Sequence, residues 1–596
     1  MKLNKFLLAA LAAASLTACS DSTDVEKGNG AQWNSDGTGY VSLSLNLPTT
    51  KSTGMRATGS NNDQFEDGTA DEYKVNDVML ILFQGANEAD ANFVAAYKLS
   101  NVFDKESTSD NITATSKLTR KIKAIDNTTS KLYAYVAINS TGVLSTTNAG
   151  ADDIENTSLN IIGLDGSSTA FSGNFTDFLQ QTTKSGNASA NFLMGNAPLA
   201  DASGNVHTLS TIDASMIKNS AAEAAKAPAA EVYVERAVAK VTLGGSTDGT
   251  INNIAASAPK WTITGWTLDN TRTNTQIVRN VQGFSTWNAY TTNEGRFKGT
   301  TAVDANNTYY RTYWAYDGDG AYTLWNDAAT VTNPNPFNRV DETKVTGNIS
   351  DPQYCFENTF DVANMTYKNT TRALVKVHIG ETTDTENKFM YNEDYATYAN
   401  LSDINSILAT KIKGLTAVEA VNTSKADIED ITFDYYAHKN DKATVTTEPE
   451  ARYYALKSFK INSTVYSEES TDTSVKALFE LVRDYFGRIS IYRGGDCYYQ
   501  ILIKHFGDAF TPWSGNNSEN TPTTGKIYPG GDAAFLGRYG VLRNNWYNLS
   551  ITGVNKIGTP DITVPDNTPD DNLDSYISVK INVLSWAKRQ QDVILQ

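Results

Sequence analysis

The sequence predicts an all-β fold with a few helical insertions, and three observations support this fold class. The chain is rich in Thr, Asn, Ser and Tyr, and its short runs of alternating apolar and polar residues are separated by Gly, Asn and Asp. Patterns of this kind are typical of β-sandwich proteins. A single hydrophobic core stops growing near about 250 to 300 residues. A chain of 596 residues therefore indicates at least two domains.

The predicted strands either alternate apolar and polar side chains or are apolar throughout, as expected for sheets with one or two buried faces. In chain order they are 40–47, 78–83, 131–137, 238–243, 373–378, 498–503, 546–554 and 577–583. An Ala-rich stretch, 221–228, precedes the strand that ends near 243, and we place the domain boundary just after that strand. The first sandwich domain is expected over 57–245 and the second over 246–575.

Clear helical periodicity is found in two stretches of the second half. The first, 400–413, carries apolar residues on one face before Gly414, and the second, 474–486, does the same before Gly487. We therefore expect the second domain to be a sandwich decorated with helical insertions.

Residues 1–19 have the features of a secretory signal peptide. Two lysines form a positive start, and the 11-residue apolar core, 6–16, is too short to span a bilayer. The segment ends in Leu-Thr-Ala-Cys, which is similar to a bacterial lipobox and predicts lipid on Cys19 after cleavage ahead of it. The alternative is a plain signal peptide in which this cysteine is incidental. Residues 21–39 are polar and contain Gly, as in a flexible tether.

The two ends of the chain carry a matched pair of strand patterns. The first presents four apolar residues on one face, namely Val41, Leu43, Leu45 and Leu47. The second presents another four, Ile577, Val579, Ile581 and Val583, and Trp586 continues this face. Alternation with a period of two indicates a strand that buries one face in each case.

Both strands look detachable from the body between them. A basic site, Arg56 followed by Ala57, comes after the first strand, and a stretch rich in Pro and Asp, 558–574, precedes the last one. If a protease cuts after Arg56, the first strand is lost and a groove that needs four apolar residues opens. The last strand can then fill the same groove on a neighbouring copy. The pattern predicts polymerisation, with 20–56 as a propeptide and 576–596 as the donor segment.

The sequence lacks the common motifs for catalysis and cofactor binding, such as Gly-x-Ser-x-Gly, His-Glu-x-x-His and the Gly-rich phosphate loops. The four histidines are isolated from one another in the sequence, so we expect no catalytic residues, no enzyme activity and no cofactor. The run Asp317-Gly318-Asp319-Gly320 offers carboxylates to calcium but lacks the distal Glu of the helical calcium motif. We interpret it as a turn and expect no metal site.

The cysteine content and the net charge limit the kinds of bond and partner expected for this chain. Besides Cys19, the chain contains Cys355 and Cys497. These two cysteines either form a disulfide or remain as buried free thiols, and the sequence allows both alternatives. The net charge of −17 disfavours nucleic acid and anionic membrane as partners.

A group of tryptophans supports an alternative function. Five of them fall within 65 residues, namely Trp261, Trp266, Trp287, Trp314 and Trp325. Exposed aromatic side chains stack on sugars in glycan-binding proteins, whereas buried strand tryptophans belong to a core. A core position is favoured for Trp261 and Trp266. A surface glycan-binding lipoprotein, which would stay full length after Cys19, remains the alternative.

Several short segments in a specific order are spread over nearly the whole chain. They are Met55-Arg56-Ala57 with 65–73, 234–241, 355–360 with 370–372, 495–499 with 503–505, and 539–547. In this combination the sequence resembles the fimbrillins of type V pili in the Bacteroidales, and most closely those of the short fimbriae.

The resemblance implies an outer-membrane lipoprotein precursor that an Arg-specific protease cuts after Arg56, so that the mature form begins at Ala57. It also implies two tandem transthyretin-like Greek-key β-sandwich domains and assembly with identical subunits by donor-strand exchange. The product would be an adhesive fimbria on the cell surface. Its partners would be accessory tip and anchor fimbrial proteins and host or bacterial surface receptors.

Overall fold

The computed structural model describes residues 25–26, 30–46, 69–99, 115–125, 130–150, 153–187, 191–251, 259–281, 283–288, 297–303, 308–315, 337–391, 397–506, 535–567, 570, 578–582, 584–585 and 587–595. Strands dominate these ranges, which confirms the all-β class predicted from the sequence.

The strands of the N-terminal part are β1 Val25–Glu26, β2 Gln32–Trp33, β3 Thr38–Asn46, β4 Val78–Gly85, β5 Asn92–Leu99, β6 Thr115–Lys123, β7 Lys131–Ile138, β8 Leu144–Thr146, β9 Leu159–Ile162, β10 Ser168–Phe171, β11 Thr182–Thr183, β12 Met194–Asn196, β13 Leu199–Asp201, β14 Val206–His207, β15 Ser210–Ile212 and β16 Ala230–Arg236. The next strands are β17 Val238–Gly245, β18 Asp248–Thr250, β19 Lys260–Asp269, β20 Thr271–Arg272, β21 Thr275–Gln276, β22 Lys298–Ala302, β23 Tyr309–Thr312, β24 Phe337–Asn338, β25 Gln353–Phe356, β26 Arg372–Ile379, β27 Lys388–Tyr391 and β28 Thr397–Asn400. The last strands are β29 Ile428–Tyr436, β30 Tyr453–Ile461, β31 Thr464–Ser467, β32 Arg488–Tyr492, β33 Asp496–Leu502, β34 Asn545–Val554, β35 Ser578–Asn582, β36 Leu584–Ser585 and β37 Ala587–Leu595. The α-helices are α1 Phe175–Leu179, α2 Ala221–Ala224, α3 Phe284–Asn288, α4 Ile404–Lys413, α5 Thr416–Val421 and α6 Thr473–Phe486.

The first large sheet has the strand order β5-β4-β7-β12-β16-β3-β6, and β15 also pairs with β7. Side chains of β4 alternate between two cores, since Val78 and Leu80 lie in one and Met79 and Ile81 lie in the other. Both faces of this sheet are therefore covered, which explains why 78–83 is apolar throughout.

Two sheets of the C-terminal part pack over one core. One has the order β25-β17-β34-β37-β35 and the other β18-β19-β26-β33. Val241 and Leu549 from the first of these sheets lie in the same buried cluster as Trp266, Val375 and Ile501 from the second. Two sheets that share a core in this way form a β-sandwich.

The predicted helical insertions are confirmed. Helices α4 and α6 contribute Leu408 and Val482 to a core that includes Phe459 of the sheet β28-β27-β32-β30-β29. Helix α6 starts after Asp472, whose side chain accepts hydrogen bonds from the first turn, and ends at Gly487, where φ is +57°.

The chain passes from the first sheet to the sandwich at Ala237. Strand β16 ends at Arg236 and pairs with β12 and β3, whereas β17 begins at Val238 and pairs with β25 and β34. The change of sheet thus precedes the boundary expected at 245. The sequence carries no Gly, Pro or Asn turn signal at this point, because a single residue, Ala237, separates the two strands.

Buried charges tie the first sheet to the sandwich. Glu72 is fully buried, its carboxylate lies 2.7 Å from Lys240 Nζ, and it accepts a hydrogen bond from the Tyr354 hydroxyl at 2.5 Å. Arg236 Nε donates to the Glu72 carbonyl oxygen at 2.7 Å. Lys240 Nζ also lies 3.9 Å from the centre of the Trp546 ring. The segment that follows the expected propeptide is therefore anchored where the two sheets meet.

Candidate functional site

Strand β3 lies in the interior of the first sheet. It pairs antiparallel with β6 over its whole length, from Thr38 opposite Lys123 to Asn46 opposite Thr115. Its other edge pairs in parallel with β16 over 230–233. Ahead of that pairing, Tyr40 and Lys218 exchange two backbone hydrogen bonds of 2.7 and 3.0 Å. We call the space that β3 occupies between β6 and β16 the strand slot.

The inner face of β3 is buried as the sequence predicts. Val41 and Leu45 have no exposed surface and Leu43 has 1%. They pack in one cluster with Leu118 and Val232 of the flanking strands. Burying such a side chain contributes about 1.5 to 3 kcal/mol. Removing β3 would therefore expose a substantial apolar groove.

The outer face of β3 is buried as well, which differs from the single buried face that the alternation indicates. Ser42 has no exposed surface and Ser44 has 5%. Helix α2 packs over β3 and β6, and the Ala229 N–H donates to the Ser42 carbonyl oxygen at 2.6 Å. The covering residues come from far along the chain, so the local pattern around Ser42 carries no sign of them.

A charged side chain flanks the slot beside Val41. Arg120, the register partner of Val41 on β6, donates to the carbonyl oxygens of Gly150 at 2.8 Å and Asp153 at 2.6 Å. Its guanidinium lies 5.1 Å from the centre of the Tyr97 ring. Burial raises the pKa of Tyr97, so the phenol stays neutral and the carbonyl oxygens compensate the charge.

The residues ahead of β3 pack against the same core, although the sequence indicates a flexible tether over 21–39. Ala31 and Trp33 are buried, and Asp36 accepts hydrogen bonds from the Thr38 backbone N–H and hydroxyl at 3.0 and 2.6 Å. The tether interpretation is therefore wrong for 30–39. A large apolar side chain, Trp33, in an otherwise polar stretch was the available signal.

Gly39 is required by the close approach of Trp33. A Cβ at this position would lie 2.6 Å from a ring carbon of Trp33. We expect Gly39→Ala to reduce the unfolding free energy of the precursor by about 1 to 3 kcal/mol because the ring must shift. Urea unfolding measures the change. The control is Gly553→Ala, since a Cβ there meets nothing within 4 Å. Equal effects of the two substitutions would contradict the packing role.

Several predicted residues lie outside the described residues. They are the lipidation site Cys19, the last residue of the removed face, Leu47, the processing site Arg56 and Ala57, and the donor residues Ile577, Val583 and Trp586. Their roles stay predictions.

The C-terminal strands take a place in the sandwich of their own chain. Strand β37 pairs in parallel with β34, and β35 pairs antiparallel with β37. Val579 and Ile581 belong to β35, the last strand in the order of this sheet. The donor segment thus lies at a sheet edge, whereas β3 lies inside a sheet.

The histidines are held by separate partners. His207 lies near Asp201, His378 near Asp496 and His438 near Asp561, and His505 contacts the Tyr547 hydroxyl. Among the described residues, no cluster of three His, Cys, Asp or Glu side chains is suited to hold a metal ion. The described part of the chain also contains no helix that is long and apolar enough to span a membrane.

Cys355 and Cys497 are buried free thiols, the second of the two alternatives that the sequence left open. Burial raises the pKa of each to about 12, so neither is a reactive thiolate near neutral pH.

Three of the five clustered tryptophans are buried and do not offer their rings to a sugar. Trp261, Trp266 and Trp314 are at most 2% exposed. The side chain of Trp287, as well as Trp325 and the run 317–320, lies outside the described residues.

Comparison with known proteins links the C-terminal region to one family. Residues 529–592 match the family model described as major fimbrial subunit protein type IV, fimbrillin, C-terminal. A search of curated proteins gives no match. This matched range contains β34 and the segment 576–592, which includes all five predicted donor residues.

Two crystal structures of proposed cell adhesion proteins show local similarity. The one from Bacteroides eggerthii DSM 20697 is 13% identical, with 57% of this chain and 75% of that chain covered and a TM-score of 0.22. The one from Parabacteroides distasonis ATCC 8503 is 12% identical, with 57% and 79% covered and a TM-score of 0.23. These scores are too low to support a shared overall fold.

Proposed function

Residues 529–592 match the fimbrillin C-terminal model, and we propose that the chain is a fimbrillin-type structural subunit of an adhesive cell-surface fimbria. The subunit is exported as an outer-membrane lipoprotein precursor with lipid on Cys19. An Arg-specific protease cuts after Arg56. The cut subunit polymerises when the C-terminal segment of one copy replaces strand β3 of the next.

The observation that carries this proposal is the position of β3. It is an interior strand with both faces buried, yet a cut after Arg56 would separate it covalently from the body. In the part of the chain that the structure describes, β3 is the sole strand paired with β6. Its departure would leave β6 without a partner and open the edge of β16. An open edge and an apolar groove together form a template for an added strand.

The C-terminal segment has the chemistry to fill this slot. It carries the same apolar alternation as β3, and part of it belongs to the region that matches the fimbrillin model. Refilling the groove stabilises the assembled state without a nucleotide, because the open groove holds the free energy that drives assembly.

The alternative function, a surface glycan-binding lipoprotein, loses part of its support. That interpretation depended on exposed aromatic side chains, and Trp261, Trp266 and Trp314 are buried. A homopolymer with accessory tip and anchor proteins is the assembly that we propose, and its receptors on host or bacterial surfaces give it the adhesive role.

The processing step is tested with Arg56→Ala in the native host. We expect the variant precursor to be exported but not cut, so that β3 keeps its place and fimbriae are lost. Electron microscopy of the cell surface and the mass of the surface protein report the result. The control is Lys51→Ala, a nearby basic residue that should leave assembly unchanged.

The new N-terminus gives an independent readout. Sequencing of wild-type fimbriae should begin at Ala57. Fimbriae of normal number and subunit mass in the Arg56→Ala strain would overturn the processing claim.

A further inference from the structure

We propose that the donor segment enters the strand slot of a second copy of this chain in a single register, in which Ser578 takes the place of Ser42. This inference rests on the proposed function. The enclosed outer face of the slot, more than its apolar groove, selects the register.

The donor and the removed strand match residue by residue over eight positions. The removed sequence is Tyr-Val-Ser-Leu-Ser-Leu-Asn-Leu over 40–47, and the donor sequence is Tyr-Ile-Ser-Val-Lys-Ile-Asn-Val over 576–583. The Tyr, the first Ser and the Asn are identical, and every apolar position stays aliphatic. In this register Val579 replaces Leu43 and Ile581 replaces Leu45.

The slot admits only a small side chain at the position of Ser42. This residue has no exposed surface. Its Oγ is enclosed without a hydrogen-bond partner among the residues that the structure describes. Helix α2 packs against this strand. A larger side chain would have to displace this cover.

Slipped registers fail at the same position. A slip of one residue turns the apolar side chains to the outer face. A slip of two in one direction places Lys580 where Ser42 lies, and thus a charge in an enclosed site. A slip of two in the other direction places Tyr576 there and puts Ser575 in the position of Val41. Only the unslipped register puts Ser578 under the cover.

In the unslipped register the charge of Lys580 has a route to solvent. In the unslipped register Lys580 takes the place of Ser44, whose register partners are Glu231 on β16 and Lys117 on β6. The carboxylate of Glu231 would attract the ammonium group. The Glu231 side chain is exposed, so the flexible stem of Lys580 can carry its charge outward along β16.

Disulfide trapping in native fimbriae tests the register. Thr119 on β6 is exposed and is the register partner of Ser42. The double variant Ser578→Cys with Thr119→Cys should therefore form a covalent ladder on a non-reducing gel, which a reductant collapses. The matched control is Lys580→Cys with Thr119→Cys, whose cysteines would lie diagonally and too far apart to bond. The native Cys355 and Cys497 are buried and should not contribute.

Each outcome decides the question. A ladder from the control pair that carries Lys580→Cys, or fimbriae without a ladder from either pair, would overturn the register. A size series at the same position adds a second test: Ser578→Ala should assemble normally, whereas Ser578→Tyr should reduce fimbriae more than tenfold. Normal assembly of Ser578→Tyr would show that the enclosed outer face of the slot does not select the register. Failure of strand exchange itself is distinguished by Ile581→Asp, because fimbriae that still form with that variant would refute the proposed function.

Discussion

Ile581→Asp is expected to give subunits that fold, are exported and are cut, yet remain monomeric. In the acceptor, Ile581 would take the place of Leu45, which has no exposed surface. An unpaired carboxylate there would cost several kcal/mol unless it is neutralised. In its own chain Ile581 lies on β35, which pairs with β37 at the edge of a sheet, so the subunit fold should tolerate the change.

Thermal melting of the processed monomer measures whether the subunit folds, and electron microscopy of the cell surface measures whether fimbriae form. Ile581→Val is the matched control, because it keeps an aliphatic side chain at the position that would replace Leu45. Truncation after Asp574 should reproduce the monomeric phenotype. An unfolded truncated monomer would mean that the strand belongs to its own domain, and fimbriae of normal number would mean that another segment is the donor.

Glu72→Ala is expected to destabilise the subunit by about 3 to 5 kcal/mol, because it leaves Lys240 buried without its carboxylate. The side chains of Glu72 and Lys240 are 0% and 5% exposed. The Tyr354 hydroxyl also loses its acceptor. Urea unfolding measures this loss. If the dependence of the unfolding free energy on urea concentration is unchanged, the loss appears as a lower urea concentration at the midpoint of unfolding.

A surface pair provides the control for this measurement. Glu223 and Lys226 also form an ion pair, but their side chains are 50% and 67% exposed. Glu223→Ala should therefore change stability by less than about 1 kcal/mol. The double variant Glu72→Ala with Lys240→Met should recover part of the loss, since no unpaired charge remains. A loss at Glu72 as small as the one at Glu223 would contradict the anchoring role.

Local patterns predicted the inner face of the slot and failed on its outer face. The alternation of Val41, Leu43 and Leu45 is enough to predict a buried face, because a strand turns every second side chain the same way. Helix α2, which packs against β3, lies about 180 residues further along the chain than Ser42. No local signal around the strand reports a cover that arrives from so far away.

The difference between local patterns and distant contacts also explains which other elements were predicted. Helix α6 was predictable because its apolar periodicity and the Gly487 stop are local. The change of sheet at Ala237 was not, since strand partners are chosen by tertiary packing. Trp33 also escaped prediction, because one apolar side chain in a polar stretch does not form a period.

The positions of β3 and the proposed donor strand determine the polarity of the proposed polymer. The slot lies in the first sheet, whereas the proposed donor lies at the edge of the sandwich, so each joint of the proposed polymer would unite two different surfaces of the subunit. Such a contact is heterologous, and it extends in one direction instead of closing on a two-fold axis. A filament built this way has unlike ends, one with a vacant groove and one with an unused strand. Under the proposed exchange, each end would require a different terminating protein.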